Sequence, residues 1–341
     1  MRRGAGSTGN VLQRPGSEER DKEQALKYSV IDHRLVSPLS ACLFVALAAC
    51  SSGVAETNGT PENPTCELAV GVADLPAQLF EASGIARDPR RADLFWVHND
   101  SGNDPILYAV DTTGALAGQA LITGATSRDV EDIAVARCAE GWCLFYADMG
   151  DNLAVRDQIY VHRLPLPAVP TDSAVPSEPI SPLMSYTMVF PGGARDAESL
   201  FVDSERGELG VVTKGRNGQV ELYVADLQTL ESVDGPVALE RIGRLDVPLG
   251  DNVSAQYVTS ADLSPDGTRL AVRSYTQLFL FDWAGSAAFD TLVAPASASL
   301  VPALEPQGEG AAFTNDGTRL YLASEGQGSR SPRLSRIDCL P

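Results

Sequence analysis

The sequence predicts an all-β fold, a five-bladed β-propeller, and three observations lead to it. First, Arg128-Asp129-Val130-Glu131-Asp132-Ile133-Ala134 returns as Arg195-Asp196-Ala197-Glu198-Ser199-Leu200-Phe201, and each copy sets a carboxylate at the mouth of a short apolar run. Looser copies stand at Ser83-Gly84-Ile85-Ala86, Ser260-Ala261-Asp262-Leu263 and Glu309-Gly310-Ala311-Ala312-Phe313, so that residues 83, 131, 198, 260 and 309 are spaced by 48, 67, 62 and 49. A period of that size carried by strands marks a propeller. Second, from Glu67 onward short β-rich runs alternate with turn clusters, and no stretch of ten residues has a helical period. Third, the last repeat is one strand short, and a strand at the other end of the chain can supply it. Six blades are the alternative the spacing leaves open.

In order, the first repeat predicts strands at Gly84–Ala86, Leu94–Val97, Ile106–Asp111 and Gln119–Ile122. The second has Ile133–Ala136, Cys143–Ala147, Ile159–Arg163 and Tyr186–Phe190, interrupted by a Pro-rich insertion from Pro165 to Pro182. Ser199–Asp203, Leu209–Thr213, Glu221–Ala225 and Leu239–Leu245 form the third. The fourth has Ala261–Leu263, the turn Pro265-Asp266-Gly267, Arg269–Val272, Leu278–Asp282 and a strand near Leu300; the fifth has Ala311–Phe313, the turn Asn315-Asp316-Gly317, Arg319–Ala323 and Leu334–Asp338. Glu67–Gly71 completes this last blade by pairing antiparallel with Leu334–Asp338, which sets Cys66 beside Cys339 for a ring-closing disulfide. Cys138 and Cys143 close a hairpin tip, Cys-Ala-Glu-Gly-Trp-Cys, where a second disulfide fits.

Upstream of the propeller, assigned to residues 66–341, the sequence reads as a leader and lipoprotein signal peptide over 1–50 and a flexible tether over 51–65. Leu39–Ala49 is too short to span a membrane and suits the apolar core of an export signal. It runs into Leu47-Ala48-Ala49-Cys50, which resembles the bacterial lipobox and implies acylation of Cys50 and anchoring at the cell envelope. Membrane contact is then expected through the lipid alone.

Net charge is -19, and because residues 1–50 hold 7 basic and 5 acidic residues, about -21 remains on the rest. So acidic a chain excludes nucleic acid as a partner, since phosphate binding needs a basic face. No Gly-x-Ser-x-Gly, His-Glu-x-x-His or phosphate-loop pattern occurs, which removes serine-hydrolase, zinc-protease and P-loop chemistry.

In a four-stranded antiparallel blade, the start of the inner strand and the end of the next strand meet on one face. That face gathers Ser83, Glu131, Glu198, Ser260 and Glu309 with His98, Asp100, Asp148, Asp151, Lys214, Arg273 and Glu325, and the entering loops add Arg128 and Arg195. Three glutamates around a narrow axis repel, a like-charged pair at ~4 Å costing roughly 4 kcal/mol at an effective dielectric near 20. Protonation, the arginines or a bound cation could each compensate. Oxygen ligands without His or Cys favour a hard ion, and flexible spacing suits Ca²⁺. Arg128, Arg195, Lys214, which is the only lysine after residue 50, and Arg273 are candidates for holding an anionic ligand. His98, Asp100 and Asp151 are the candidate proton-handling groups.

The order Ser, Glu, Glu, Ser, Glu at five inner-strand starts resembles the central calcium ring of the calcium-activated nucleotidase (apyrase) family, a five-bladed propeller. The resemblance implies that these five residues ligate Ca²⁺. The substrate side departs from it: where those nucleotidases carry two acidic residues and then Arg-Thr-Gly, this chain has His98-Asn99-Asp100-Ser101-Gly102. Trp96-Val97-His98-Asn99-Asp100-Ser101-Gly102 with Glu131-Asp132-Ile133-Ala134 and Gly150-Asp151-Asn152 more closely resembles a group of secreted bacterial propeller proteins. Two functions stay open: a metal-dependent hydrolase of a phosphorylated or otherwise anionic small substrate, or a non-catalytic envelope scaffold that Ca²⁺ stabilises. The expected partner is an anionic small molecule or an envelope component, and the chain is expected to be a monomer.

Overall fold

A computed structural model describes residues 66–68, 73–169, 178–247, 257–291, 296–299 and 305–339. The leader, Cys50 and the tether lie outside the described residues. The chain divides into residues 1–58 and 59–341, and the second unit holds every described element.

This unit enters through β1 (Cys66–Leu68) and β2 (Ala73–Asp74) and then builds five sheets in sequence. Blade 1 comprises β3 (Ala82–Arg87), β4 (Leu94–Asn99), β5 (Ile106–Asp111) and β6 (Leu116–Leu121). Blade 2 comprises β7 (Val130–Cys138), β8 (Gly141–Asp148), β9 (Ile159–Pro165) and β10 (Met184–Val189). Blade 3 has β11 (Ala197–Asp203), β12 (Glu208–Thr213) and β13 (Val220–Asp226), and after an α-helix, α1 (Leu227–Ser232), come β14 (Val237–Ala238) and β15 (Glu240–Leu245). β15 completes blade 3, whereas β14 crosses over to pair parallel with β10 as a fifth strand of blade 2. Blade 4 comprises β16 (Val258–Leu263), β17 (Arg269–Ser274), β18 (Gln277–Asp282) and β19 (Ala296–Ser299). Blade 5 comprises β20 (Gln307–Phe313), β21 (Arg319–Glu325) and β22 (Arg333–Cys339). β1 and β2 both pair antiparallel with β22, placing Cys66 opposite Cys339 in the register. The ring therefore has five blades closed by an N-terminal strand, as expected from the strand count.

One short element lies outside those expected. α1 is a short helix where none was foreseen; it is capped by Asp226, whose side chain accepts from Thr229 N, and it buries Leu230. The outer strand of blade 4 expected near Leu300 is β19 (Ala296–Ser299), and Leu300 itself lies outside the described residues.

The core is split into five parts, each lying between two neighbouring blades. Trp96 and Leu107 of blade 1 meet Tyr146 and Leu144 of blade 2. Phe145 and Val161 meet Leu200 and Tyr223 across the blade 2 and blade 3 interface. Phe201 and Leu222 meet Phe279 and Phe281 of blade 4, and Leu278 and Leu280 meet Phe313 and Leu322 of blade 5. Phe95 and Val97 of blade 1 pack on Tyr321 and Ala323 of blade 5, so the last interface forms only when the ring closes. Each blade is buried on both faces, which is why its strands are nearly continuous apolar runs.

Cys138 and Cys143 form the expected disulfide at the tip of the β7–β8 hairpin. Both predicted turns appear, with Gly267 and Gly317 at positive φ. Asp266 and Asp316 each accept from the Thr two residues on, through its N–H and its hydroxyl. Among the described residues no helix is long and apolar enough to cross a membrane.

Candidate functional site: an acidic funnel over a plugged channel

Every inner strand breaks register with its neighbour near its start. The irregularity falls between Ala82 and Ile85 in β3, Val130 and Asp132 in β7, Ala197 and Ser199 in β11, Val258 and Ser260 in β16, and Gly308 and Ala311 in β20. A bulge re-aims the extra side chain away from the sheet. Repeated five times, it turns one side chain per blade toward the axis. The re-aimed residues are Ser83, Glu131, Glu198, Thr259 and Glu309.

Blade 4 therefore contributes Thr259 at this level, and Ser260 falls one residue deeper. The two hydroxyls of the ring behave alike: Ser83 Oγ donates to Glu131 O at 2.7 Å, and Thr259 Oγ1 donates to Glu309 O at 2.8 Å. Each ties its inner strand to the next blade. Ser260 Oγ instead donates to the Asp132 carboxylate at 3.3 Å and accepts from Ala311 N at 3.1 Å, so its expected place in the ring is corrected.

Below the ring stand Gly84, Asp132, Ser199, Ser260 and Gly310. Asp132, fully buried, crosses the channel: it accepts from Ile133 N at 2.9 Å, Leu200 N at 3.0 Å and Ala261 N at 3.3 Å. These N–H groups belong to the unpaired edges of three inner strands, so one carboxylate satisfies three blades. Burial pushes its carboxyl well above the usual range, and the three donors oppose that rise. Gly84 leaves room for it, since a Cβ there would come within 2.8 Å of Asp132 Oδ1 and 2.7 Å of His98 Nε2.

Above the ring the acids accumulate. Asp100, Asp129 and Glu131 bring carboxylate oxygens within 4.8 Å of one another. Gly150 packs against them, where a Cβ would meet Glu131 Oε1 at 1.9 Å. Glu198, Glu309 and Glu325 complete the cluster, and Lys214 at the end of β12 is its counter-ion. Lys214 Nζ bonds Glu198 and lies 5.9 Å from the Tyr275 ring centroid. Burial alone would lower the lysine, but Glu198 and its neighbours outweigh it and hold the ammonium charged. Lys214, with Arg156 acting on Asp129 and Arg216 on Glu198, does not balance so many acids. Burial first, then mutual repulsion, raises Glu131 and Glu309 well above the carboxylate range and pushes Glu325 up to about 8. Glu198 rises to about 7, burial overcoming the pull of Lys214. Asp100 and Asp129 are raised for the same first reason.

The other candidates divide. Lys214 reaches the funnel, paired with acid and not poised for an anion. Arg273 is fully enclosed, donating to Gly310 O and Ala323 O and pairing with Glu305 between blades 4 and 5. Arg195 turns away to Glu221 and to the carbonyls of Gly193 and Ala194, while Arg128 is exposed. The expected anion clamp is not assembled, and the cation acting on the glutamates is Lys214 in place of the two arginines. His98 is buried: Nε2 accepts from Gly84 N at 3.1 Å, which leaves Nδ1 to donate to Asn99 O at 2.8 Å. Burial lowers it to about 4. Both ring nitrogens are thus engaged by backbone groups. Asp151 is likewise a buried turn residue, accepting from Arg156 N and donating its own N–H to Asp196. Of the three proton-handling candidates, Asp100 alone stands at the funnel mouth.

Sequence reasoning missed Asp129, Asp132 and Thr259. Asp129 and Asp132 stood inside the repeated phrase, which was the available signal. Thr259 was hidden because the repeat was aligned on apolar residues, and the bulge adds a residue before them.

No protein-family model and no curated protein matches the chain. Among solved structures it is similar to the WD40 domain of coronin from Toxoplasma gondii, at 12% identity and a TM-score of 0.42, over 82% of this chain and 87% of that one. At that score the likeness bears on neither ligand nor activity, and the five blades stand on the chain's own sheets.

Proposed function

We propose that this propeller is an exported, lipid-anchored binding scaffold whose acidic funnel holds a hard divalent cation, Ca²⁺. The observation that carries the reading is the convergence of the Asp100, Asp129 and Glu131 carboxylates, crowded by Glu198, Glu309 and Glu325 with Lys214 as the one buried ammonium among them. All donors there are oxygens, the set a hard cation selects. Such an ion would relieve a repulsion that otherwise forces protons onto buried acids. Asp100, Asp129 and Glu131 would hold it, with Glu198 and Glu309 contributing charge from the ring.

The scaffold is favoured over the hydrolase because His98 is bound on both nitrogens and the arginines expected to clamp an anion point elsewhere. Export is supported by the Cys138–Cys143 disulfide, which an oxidising compartment permits, and by the lipobox at Cys50. Calorimetric titration of chelator-treated protein with Ca²⁺ tests the site. Saturable binding that Glu131→Gln and Asp129→Asn each weaken by tenfold or more is the expected result, whereas no binding heat in the wild type refutes the cation site. Turnover of nucleotides or phosphate esters by the Ca²⁺-loaded protein would overturn the scaffold reading in favour of the hydrolase.

A further inference from the structure

The inner strands that open on the funnel end at the opposite face, where the last residues of β3, β7, β11 and β16 frame a pocket of about 270 Å³. We propose that this far mouth of the channel is a second site, separate from the funnel, that binds a small organic anion with a flat apolar body. Separation follows from Asp132, whose carboxylate ties three inner strands together across the channel between the two openings.

The charges of the pocket, unlike those of the funnel, are mostly paired. Its two deep acids are already matched: Asp262 receives Arg87 Nη1 at 3.0 Å and Phe313 N at 2.8 Å, and Asp203 receives Arg206 Nη1 at 2.8 Å and Trp283 Nε1 at 2.9 Å. Arg137 has no carboxylate partner among the described residues. Its guanidinium lies 4.0 Å from the centroid of the Trp142 ring, on the pocket wall. A guanidinium over an indole can still offer N–H groups to a carboxylate or sulfonate, which accepts them in pairs. Glu205, exposed, is the one unmatched acid of the lining.

Size and surface narrow the ligand. Ala134, Ala136, Val202, Leu263 and Pro265 give the wall an apolar part, beside the polar Ser204 and Ser264. The volume lies below the range of roughly 300–1,000 Å³ usual for drug-sized ligands, so a single ring with one acidic group suits it. Trp142 gives a direct readout, because Trp96 and Trp283 are buried and Trp142 is half-buried.

The test is a fluorescence titration of the intact protein with phenylacetate, phenylacetamide and inorganic phosphate, repeated by calorimetry so that optical and thermal isotherms agree. Phenylacetate is expected to saturate, with the amide and phosphate each weaker by about tenfold or more. Arg137→Gln, an exposed position, should bring acid and amide to the same affinity, and Glu205→Gln should tighten the acid. The isotherm should be the same in Ca²⁺ and in chelator, which separates this site from the funnel. The proposal fails if phenylacetate does not saturate, if the amide or phosphate binds as tightly, or if Arg137→Gln with native circular dichroism leaves the affinity unchanged.

Discussion

Two buried side chains, Asp132 and Lys214, decide how the centre of this ring is held. Among the described residues Asp132 has no cationic partner and relies on backbone donors from β7, β11 and β16 and on the Ser260 hydroxyl. Removing the acceptor strands its buried donors, and each buried donor left unsatisfied costs about 1–3 kcal/mol. Asp132→Ala should therefore lower unfolding free energy by about 3 kcal/mol or more, measured by urea denaturation, with Asp132→Asn costing less because the amide oxygen still accepts. Lys214 is matched to Glu198, and breaking a buried pair on one side costs about 3–5 kcal/mol. Lys214→Met should destabilise the chelated protein by that amount and gain more from added Ca²⁺ than the wild type does, read as the difference in Tm. The lysine was legible as the sole lysine after residue 50. Its role was not, because sequence places it on a face without saying which neighbour it touches.

At the scale of elements, closure depends on β1, only three residues long, laid against β22 with Cys66 opposite Cys339. A disulfide there would constrain nearly the whole propeller, worth about 2–5 kcal/mol on the usual scale. Peptide mapping under non-reducing conditions should recover the Cys66–Cys339 pair, and Cys66→Ser should lower Tm while leaving Cys138–Cys143 intact. The strands themselves were readable, since blades buried on both faces leave apolar runs bounded by Gly, Pro, Asn and Asp. What escaped notice were elements too short to have a period. α1 is one turn and a half held by an Asp cap, and β14 is two residues that join a neighbouring blade. The five inner-strand bulges escaped for a related reason: an inserted residue shifts the register without altering which residue types are present.

For the whole molecule, the surplus of buried carboxylates couples stability to pH. Glu198 and Glu325 titrate in the folded chain near 7 and 8, above their ordinary value of 4.5. The folded state then binds more protons than the unfolded state between about 4.5 and 8, so stability is greatest at the acid end of that window and falls as pH rises through it. In chelator, Tm should decline from pH 5 to pH 8, and Glu198→Gln with Glu325→Gln should flatten the slope. Saturating Ca²⁺ should flatten it as well, because the ion takes over what protons do. A chelated protein whose Tm rises over this range would contradict the burial of these acids.

The sequence by itself favoured five blades over six and indicated the closing strand, the hairpin disulfide and the glutamates at the inner-strand starts. Each of these depends on local pattern: apolar periodicity, turn residues and spacing survive in one dimension. The tertiary structure alone decided that Thr259 and not Ser260 belongs to the ring, that Asp132 plugs the channel, that Lys214 faces the acids and that Arg273 does not. Those outcomes depend on which side chain occupies a shared volume when five strands converge. A one-residue bulge or the reach of a single side chain settles that competition, and neither leaves a mark in the residue pattern.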